Sequence, residues 1–252
     1  MSILRLRGAL RQSFGNIGRN FFMKWNLSEI TRRADALYGS REQLENVRAS
    51  VELLEAVSGD ADFEVAWRLG RALFFLGQEE EQSREQARRL HARGARVCAR
   101  AVRAERARVE GHFWLGVNLA LQAQATRPQL LALGLALRAK RSLERAARIN
   151  PAYHAAGPLR VLARLSHRLP RLLGGGTKRA RAHFERAIRI APANTVTRLY
   201  FAEMLQDAGD HRSAERELET ILAAPTDTAW AFETERDRSL ARRMLQRIRS
   251  SV

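Results

Sequence analysis

An all-α solenoid of paired helices is the fold class the sequence predicts, and three observations carry that prediction. The first is a spaced signature. Ala180, Phe184, Ala187 and Pro192 stand at offsets 0, 4, 7 and 12. Small residues at the first and third of these positions let a second helix approach closely, Phe184 fills the gap between the two, and Pro192 stops the helix. The second observation is recurrence. The spacing returns at Ala139, Leu143, Ala146 and Pro151, and again, with a loop one residue shorter, at Ala214, Leu218, Ile221 and Pro225. The third is the period, which is 34 residues from Ala180 to Ala214.

That period and ending belong to the tetratricopeptide unit, a helix–turn–helix that stacks on its neighbours to build a right-handed superhelix. The chain is expected to hold about five such pairs and a capping helix at its C-terminal end. Residues 1–27 read as a basic amphipathic segment and 28–252 as the repeat domain. A chain of 252 residues that is 45% hydrophobic can bury a large core. Its one cysteine, Cys98, excludes an internal disulfide and a cysteine-based metal site.

Basic charge is concentrated in the middle. Residues 84–190 hold 24 Lys+Arg against 5 Asp+Glu, whereas 1–83 and 191–252 each carry one more acid than base. Arginine outnumbers lysine 41 to 3, which a GC-rich genome alone could produce. Codon bias does not remove acids from one segment.

In chain order, Ile3, Leu6, Leu10, Phe14, Ile17, Phe21 and Trp25 form an apolar helical stripe in an acid-free, arginine-bearing segment. Two readings follow: a helix lying on an anionic membrane surface, or one covering the apolar face of the first repeat. Arg5 and Arg7 interrupt what a secretory signal would need, and no lipid-attachment cysteine lies nearby, so the expected location is cytoplasmic, with peripheral membrane association as the variant. Ser28 is placed as the cap of a helix through Leu37, and Arg41 to Val57 as its partner. Trp67, Leu69-Gly70 and Leu73 mark the next first helix. Glu79-Glu80-Glu81 is read as the start of a long helix to about Val109, since acids suit a helix N-terminus. Within it Arg89, Arg93, Arg96, Arg100 and Arg103 fall on one side, with Glu85 and Glu105 as the available counter-charges. Gly94, Cys98 and Ala101 take the other, so Cys98 is expected in the core. Leu115-Gly116 sits at the close contact of the following helix, with Asn118 expected to be buried against backbone.

Tyr153-His154-Ala155-Ala156-Gly157-Pro158 is expected to open a helix with Pro158 in its first turn. From Ala139 to Ala180 is 41 residues, so this unit carries an insertion of about seven over the repeat period. Gly174-Gly175-Gly176 should make a turn with positive φ, and Thr177 should cap the helix beyond it. Leu199, Phe201-Ala202 and Leu205 form another first helix, Ser213 to Ala224 its partner. The last helix starts at Thr226 or Asp227 with an apolar inner side (Trp230, Phe232, Leu240, Leu245) and a charged outer one.

Tyr153 with Gly157-Pro158, then Leu169-Pro170, Leu173-Gly174-Gly175, the helix to Pro192 and Leu199-Tyr200-Phe201-Ala202 follow one another in an order that resembles a family. It is similar to the tetratricopeptide-type T component of TRAP (tripartite ATP-independent periplasmic) transporters and, more distantly, to regulator-of-microtubule-dynamics proteins. The resemblance covers roughly residues 30–245. It implies an all-helical protein that binds a ligand or partner without catalysis; family members serving such a transporter are expected in the periplasm.

Catalytic arrangements fail on spacing. Gly174 to Lys178 lacks the phosphate-loop pattern and a preceding strand, and the six histidines show no His-Glu-x-x-His. Neither an enzyme nor a cofactor is expected. The leading expectation is a scaffold whose concave groove takes a protein partner or a small apolar ligand through Trp67, Arg71, Phe74, Phe113, Val117, Leu121, Leu199, Glu203 and Gln206. The competing one is an adaptor held to an anionic membrane or nucleic acid by Arg89, Arg93, Arg96, Arg100 and Arg103. Self-association is compatible with either. Far-UV circular dichroism should show a helical protein, and strand content above about a tenth would overturn the fold.

Overall fold

The computed structural model describes residues 16–58, 62–79 and 83–250, with side chains from residue 27 onward. Eleven α-helices are present among them, and the described residues contain no strand. They form five pairs and a closing helix: α1 (Asn16–Gly39) with α2 (Leu44–Val57), α3 (Phe63–Glu79) with α4 (Arg84–Ala104), and α5 (Val109–Ala125) with α6 (Gln129–Ile149). Next come α7 (Tyr153–Arg168) with α8 (Thr177–Ile190), α9 (Thr195–Asp207) with α10 (His211–Ala223), and α11 (Ala231–Ser250). Successive first helices, α1, α3, α5, α7 and α9, touch one another in turn, whereas second helices pack mainly on first helices. The first helices therefore form the inner, concave layer of a tetratricopeptide-type superhelix.

The small–large–small signature does what its chemistry requires. Ala139, Leu143 and Ala146, then Ala180, Phe184 and Ala187, then Ala214, Leu218 and Ile221 are all fully buried. Cys98 and Ala101 hold the same place on α4, and burial pushes the Cys98 thiol far up, so it packs as a small apolar group. Asn118 donates to the carbonyls of Gly70 (3.0 Å) and Trp114 (2.9 Å), pinning α5 against α3. A Cβ on Gly70 would run into Cys98 Sγ, and one on Gly94 into the Asn118 amide, so three helices cross here only because both positions lack side chains.

Several local expectations are corrected. The helix expected from Ser28 is part of α1, which runs unbroken from Asn16, across the expected boundary between residues 27 and 28. Glu79 ends α3 rather than opening a helix; α4 starts after Ser83, which forms a reciprocal cap with Gln86. That cap supplies partners for two orphan N–H groups, a more local gain than the dipole effect of the acids. Helix α4 then stops at Ala104, not Val109. Gly176, not Thr177, precedes α8 as its cap position, and no side chain caps it. Asp227 caps a 3-10 turn over Thr228–Trp230 before α11 begins. The positive-φ turn is present, with Gly174 at 79° and Gly176 at 110°. The stripe from Ile3 to Phe14 lies outside the described residues, as do the side chains of Ile17, Phe21 and Trp25.

The start of α7 differs most from expectation. His154, Ala155 and Ala156 have φ of 52°, 51° and 57°, a left-handed turn from which Gly157-Pro158 restarts a right-handed helix. Such backbone costs non-glycine residues about 1–3 kcal/mol each. Arg160 holds the turn. It is 5% exposed, yet its guanidinium meets neutral acceptors: the carbonyl of Ala155 (3.0 Å), Asn194 Oδ1 (3.2 Å) and Thr197 Oγ1 (3.3 Å), with the His154 carbonyl at 3.5 Å. Burial without a carboxylate partner lowers the guanidinium to about 10. Asn194 also caps α9 through the Thr197 N–H (3.0 Å), so one side chain ties a strained turn to the next helix start. Arg160→Met should cost about 3 kcal/mol in urea unfolding, because several buried acceptors lose their donor together. A loss below about 0.5 kcal/mol, the scale of surface substitutions, would mean the turn holds without it.

Candidate functional site: the concave face

The concave face is partly filled by the chain's own C-terminal segment. Arg41, between α1 and α2, pairs with Glu233 of α11 (2.6 Å) and donates to the Ala229 carbonyl (2.8 Å). Arg236 pairs with Glu79 at the end of α3 (2.5 Å), and Phe232 packs on Phe75 at 5.8 Å between ring centres. Deeper in, Trp230 meets His154 edge-on at 4.8 Å, and Thr195 donates to the buried Asp237 (2.8 Å). The apolar side of α11 meanwhile seals the last pair with Ala241, Met244, Leu245 and Ile248. So α11 is the expected closing cap and also a bridge back to the first two pairs.

This closure decides what the nine expected groove residues do. Phe113 and Leu199 are 2% exposed and Val117 scarcely more, so they are core rather than groove surface. The correction has a plain cause: Tyr153 and His154 lie on Phe113, at 5.3 and 5.4 Å, and α11 covers the neighbourhood of α9. Trp67 is buried as well, its indole N–H on Glu64 (2.9 Å) and the Arg68 guanidinium over its ring (4.3 Å). Arg71 stacks over Tyr38 (3.9 Å) and pairs with Asp35 (2.6 Å), while its Nε is buried without an acceptor. Phe74 packs on Trp114 at 5.3 Å. Leu121, Glu203 and Gln206 keep partial exposure. Glu203 pairs with Arg164 of α7 (2.9 Å), whose guanidinium lies over Tyr200 (3.7 Å). Arg160 and Arg164 are inner-face residues that the sequence reading does not reach, although they stand where Leu199 and Glu203 stand on α9. Departure from the common period hides them.

The arginine stripe on α4 is less free than its spacing suggests. Arg89 pairs with Glu85 (3.0 Å) and Arg93 with Glu55, a carboxylate reaching across from α2. Arg88 and Arg89 hold the Glu85 carboxyl down to about 2. Glu105 turns away to Arg108 (3.6 Å). Arg96 and Arg103 are exposed, and Arg100 is half-buried.

No group of three or more His, Cys, Asp or Glu that could hold a metal occurs among the described residues, and none of their helices is long and apolar enough to cross a membrane. A family model described as TRAP transporter T-component matches residues 69–248. The crystal structure of a thermophilic TPR protein from Thermus thermophilus superposes with a TM-score of 0.63 at 19% identity, covering 83% of this chain and 97% of that one. That likeness shows the fold. Among curated proteins none matches significantly.

His154 gives the site a pH signature. Burial first, then the nearby charges of Arg160, Arg71 and Arg41, lower its imidazole from 6.5 to about 3. A folded value below the unfolded one means the stabilising contribution is complete above about 6.5 and is lost as pH falls toward 3. The urea midpoint should therefore drop between pH 7.5 and pH 4.5, and His154→Phe should drop less over the same interval. Equal drops would show that other groups, such as the buried His91, carry the acid sensitivity.

Proposed function

Because the chain belongs to the TRAP transporter T-component family, we propose that it is a non-catalytic scaffold of such a transport system that receives a partner protein on the open part of its concave face. The observation that carries this reading is the contrast within that face. Its first half is occupied by residues 229–237, whereas Arg164, Glu203 and Gln206, on the adjacent helices α7 and α9, remain partly exposed. The Arg164–Glu203 pair is a third exposed on each side, which leaves both charges free to exchange partners at small cost. Charged and amide side chains suit the edge of a protein segment better than a small apolar ligand, and inward surfaces of solenoids are where such segments bind. The competing anionic-surface reading through the α4 stripe has less support, since Glu85 and Glu55 already occupy Arg89 and Arg93.

Binding to the other components of the transporter, followed by surface plasmon resonance, tests the proposal. Glu203→Arg and Gln206→Arg together should weaken the complex by about tenfold or more, through like-charge contact and lost hydrogen bonds. Replacing Arg89, Arg93, Arg96, Arg100 and Arg103 by Gln should leave affinity within about threefold, because α4 lies outside the inner layer of first helices. The reverse pattern would move the partner to the convex stripe. Phe113→Ala and Leu199→Ala are unsuitable, since core truncations of this size cost about 2–5 kcal/mol of stability.

A further inference from the structure

We propose that one rim of the solenoid, where α6 and α8 begin and α7 ends, is a docking edge for an anionic lipid bilayer. Short connections make neighbouring helices antiparallel, so the starts of α6 and α8 and the end of α7 share one rim. The packing agrees: Leu165, near the end of α7, lies against Leu135 and Ala139 in the first half of α6, and Tyr153 lies among residues near the end of α6.

Three large apolar side chains project from this rim. Leu172 is 99% exposed, Leu130 86% and Leu131 56%. Leu172 is presented by a held turn rather than a loose one. Gly174 N–H donates to the Arg171 carbonyl (3.0 Å), Gly175 N–H to Pro170 (3.0 Å) and Gly176 N–H to Ser166 (2.7 Å). Lys140 of α6 donates to the Leu173 carbonyl (3.3 Å), tying the turn to its neighbour. Gly175 leaves no room for a Cβ, which would meet the Leu169 carbonyl. The seven-residue insertion thus builds a fixed tip with a leucine on it. Beside it, α6 opens with an uncharged run from Pro128 to Leu137.

Charge selects the occupant. No acidic residue occurs between Glu110 and Glu144 or between Glu144 and Glu185. Arg127, Arg168, Arg171, Lys178 and Arg179 surround the leucines, all exposed. Of the carboxylates that reach this end from α9 and α10, Asp210 is paired with Arg181 (3.1 Å). Asp207, 3.4 Å from the His167 imidazole that burial keeps neutral, is a single acid beside five exposed cations. A second copy would bring an equally basic rim against this one. Nucleic acid would match the charge but gain nothing from projecting aliphatic tips, which neither stack on bases nor hydrogen-bond their edges. A bilayer of anionic lipid meets both requirements, with acyl chains for the leucines and phosphates for the cations.

Co-sedimentation of the full chain with phosphatidylcholine vesicles, with and without about one-third phosphatidylglycerol, tests this. Partition should require the anionic lipid and fall with salt. Leu130→Ser, Leu131→Ser and Leu172→Ser combined should lower it at least about tenfold, because the apolar insertion is lost. The melting temperature should not move, since all three side chains are exposed in the folded chain. Arg171→Gln, Lys178→Gln and Arg179→Gln should each cost about fivefold. Arg96→Gln with Arg103→Gln on the convex stripe should change little. The proposal is overturned if the leucine variant sediments like the parent, if neutral and anionic vesicles bind alike or neither binds, or if the leucine substitutions instead dissolve an oligomer.

Discussion

A buried arginine without a carboxylate is the constraint on which much of this molecule depends. Arg160 reaches neutral oxygens from two directions, the carbonyls of a left-handed turn in α7 and the side chains that cap α9. Without that common donor, three residues with φ near 50° would lose the side-chain bonds that hold the His154 and Ala155 carbonyls beside a proline. With it, the turn carries Tyr153 and His154 inward onto Phe113 and Trp114 and leaves Ala156 fully buried. Trp230 then finds His154 as its floor, with the Arg160 guanidinium 5.8 Å from its ring. A strained backbone and an unpaired cation are each unfavourable alone; each supplies what the other lacks.

From that cluster the superhelix closes on itself. Repeat proteins usually hold together through contacts between neighbours, so stability is a sum of local terms. Here Arg41 and Glu233 are partners 192 positions apart, and Arg236 meets Glu79 across 157. Burial pushes the Glu79 and Asp237 carboxyls up, while Arg236 pulls both down; they are kept as an ion network inside the fold rather than as surface pairs. Such links tie the end of the chain to its beginning, contacts that neighbour-to-neighbour packing alone does not supply.

These features mark the border of what the sequence reveals. The small–large–small positions can be read because close helix contacts repeat at a fixed spacing, and those on α4, α6, α8 and α10 are buried where the period puts them. On α2, by contrast, the expected Ala49, Leu53 and Ala56 give way to Ser50, Val51 and Leu54. Asn118 and Cys98 are equally readable, being polar or reactive types placed in an apolar register. Arg160, Arg41 and Glu233 are not, because nothing in a period announces a partner far outside the repeat. The groove departs from expectation for a related reason. Phe113 and Leu199 do face inward, but whether an inward face is solvent or core depends on the path of α11. Glu79 shows the local limit: acids suit a helix start, yet the Ser83–Gln86 cap just beyond it offers directed hydrogen bonds and wins.

The charge distribution follows the same division between near and far. On α4 Arg89 meets Glu85 from its own helix and Arg93 meets Glu55 from α2, so part of a stripe of cations in the sequence becomes ion pairs in space. Around the insertion the chain itself supplies no acids, and of the two that the fold brings near from α9 and α10, Asp210 is paired with Arg181 and Asp207 stands alone against several cations. The rim where Leu130 and Leu172 project is thus the place where exposed cations stand beside exposed leucines. Solvation alone would favour spreading those cations and hiding those leucines. Holding both in one place, on a turn fixed by four hydrogen bonds, is the part of this structure that packing does not account for.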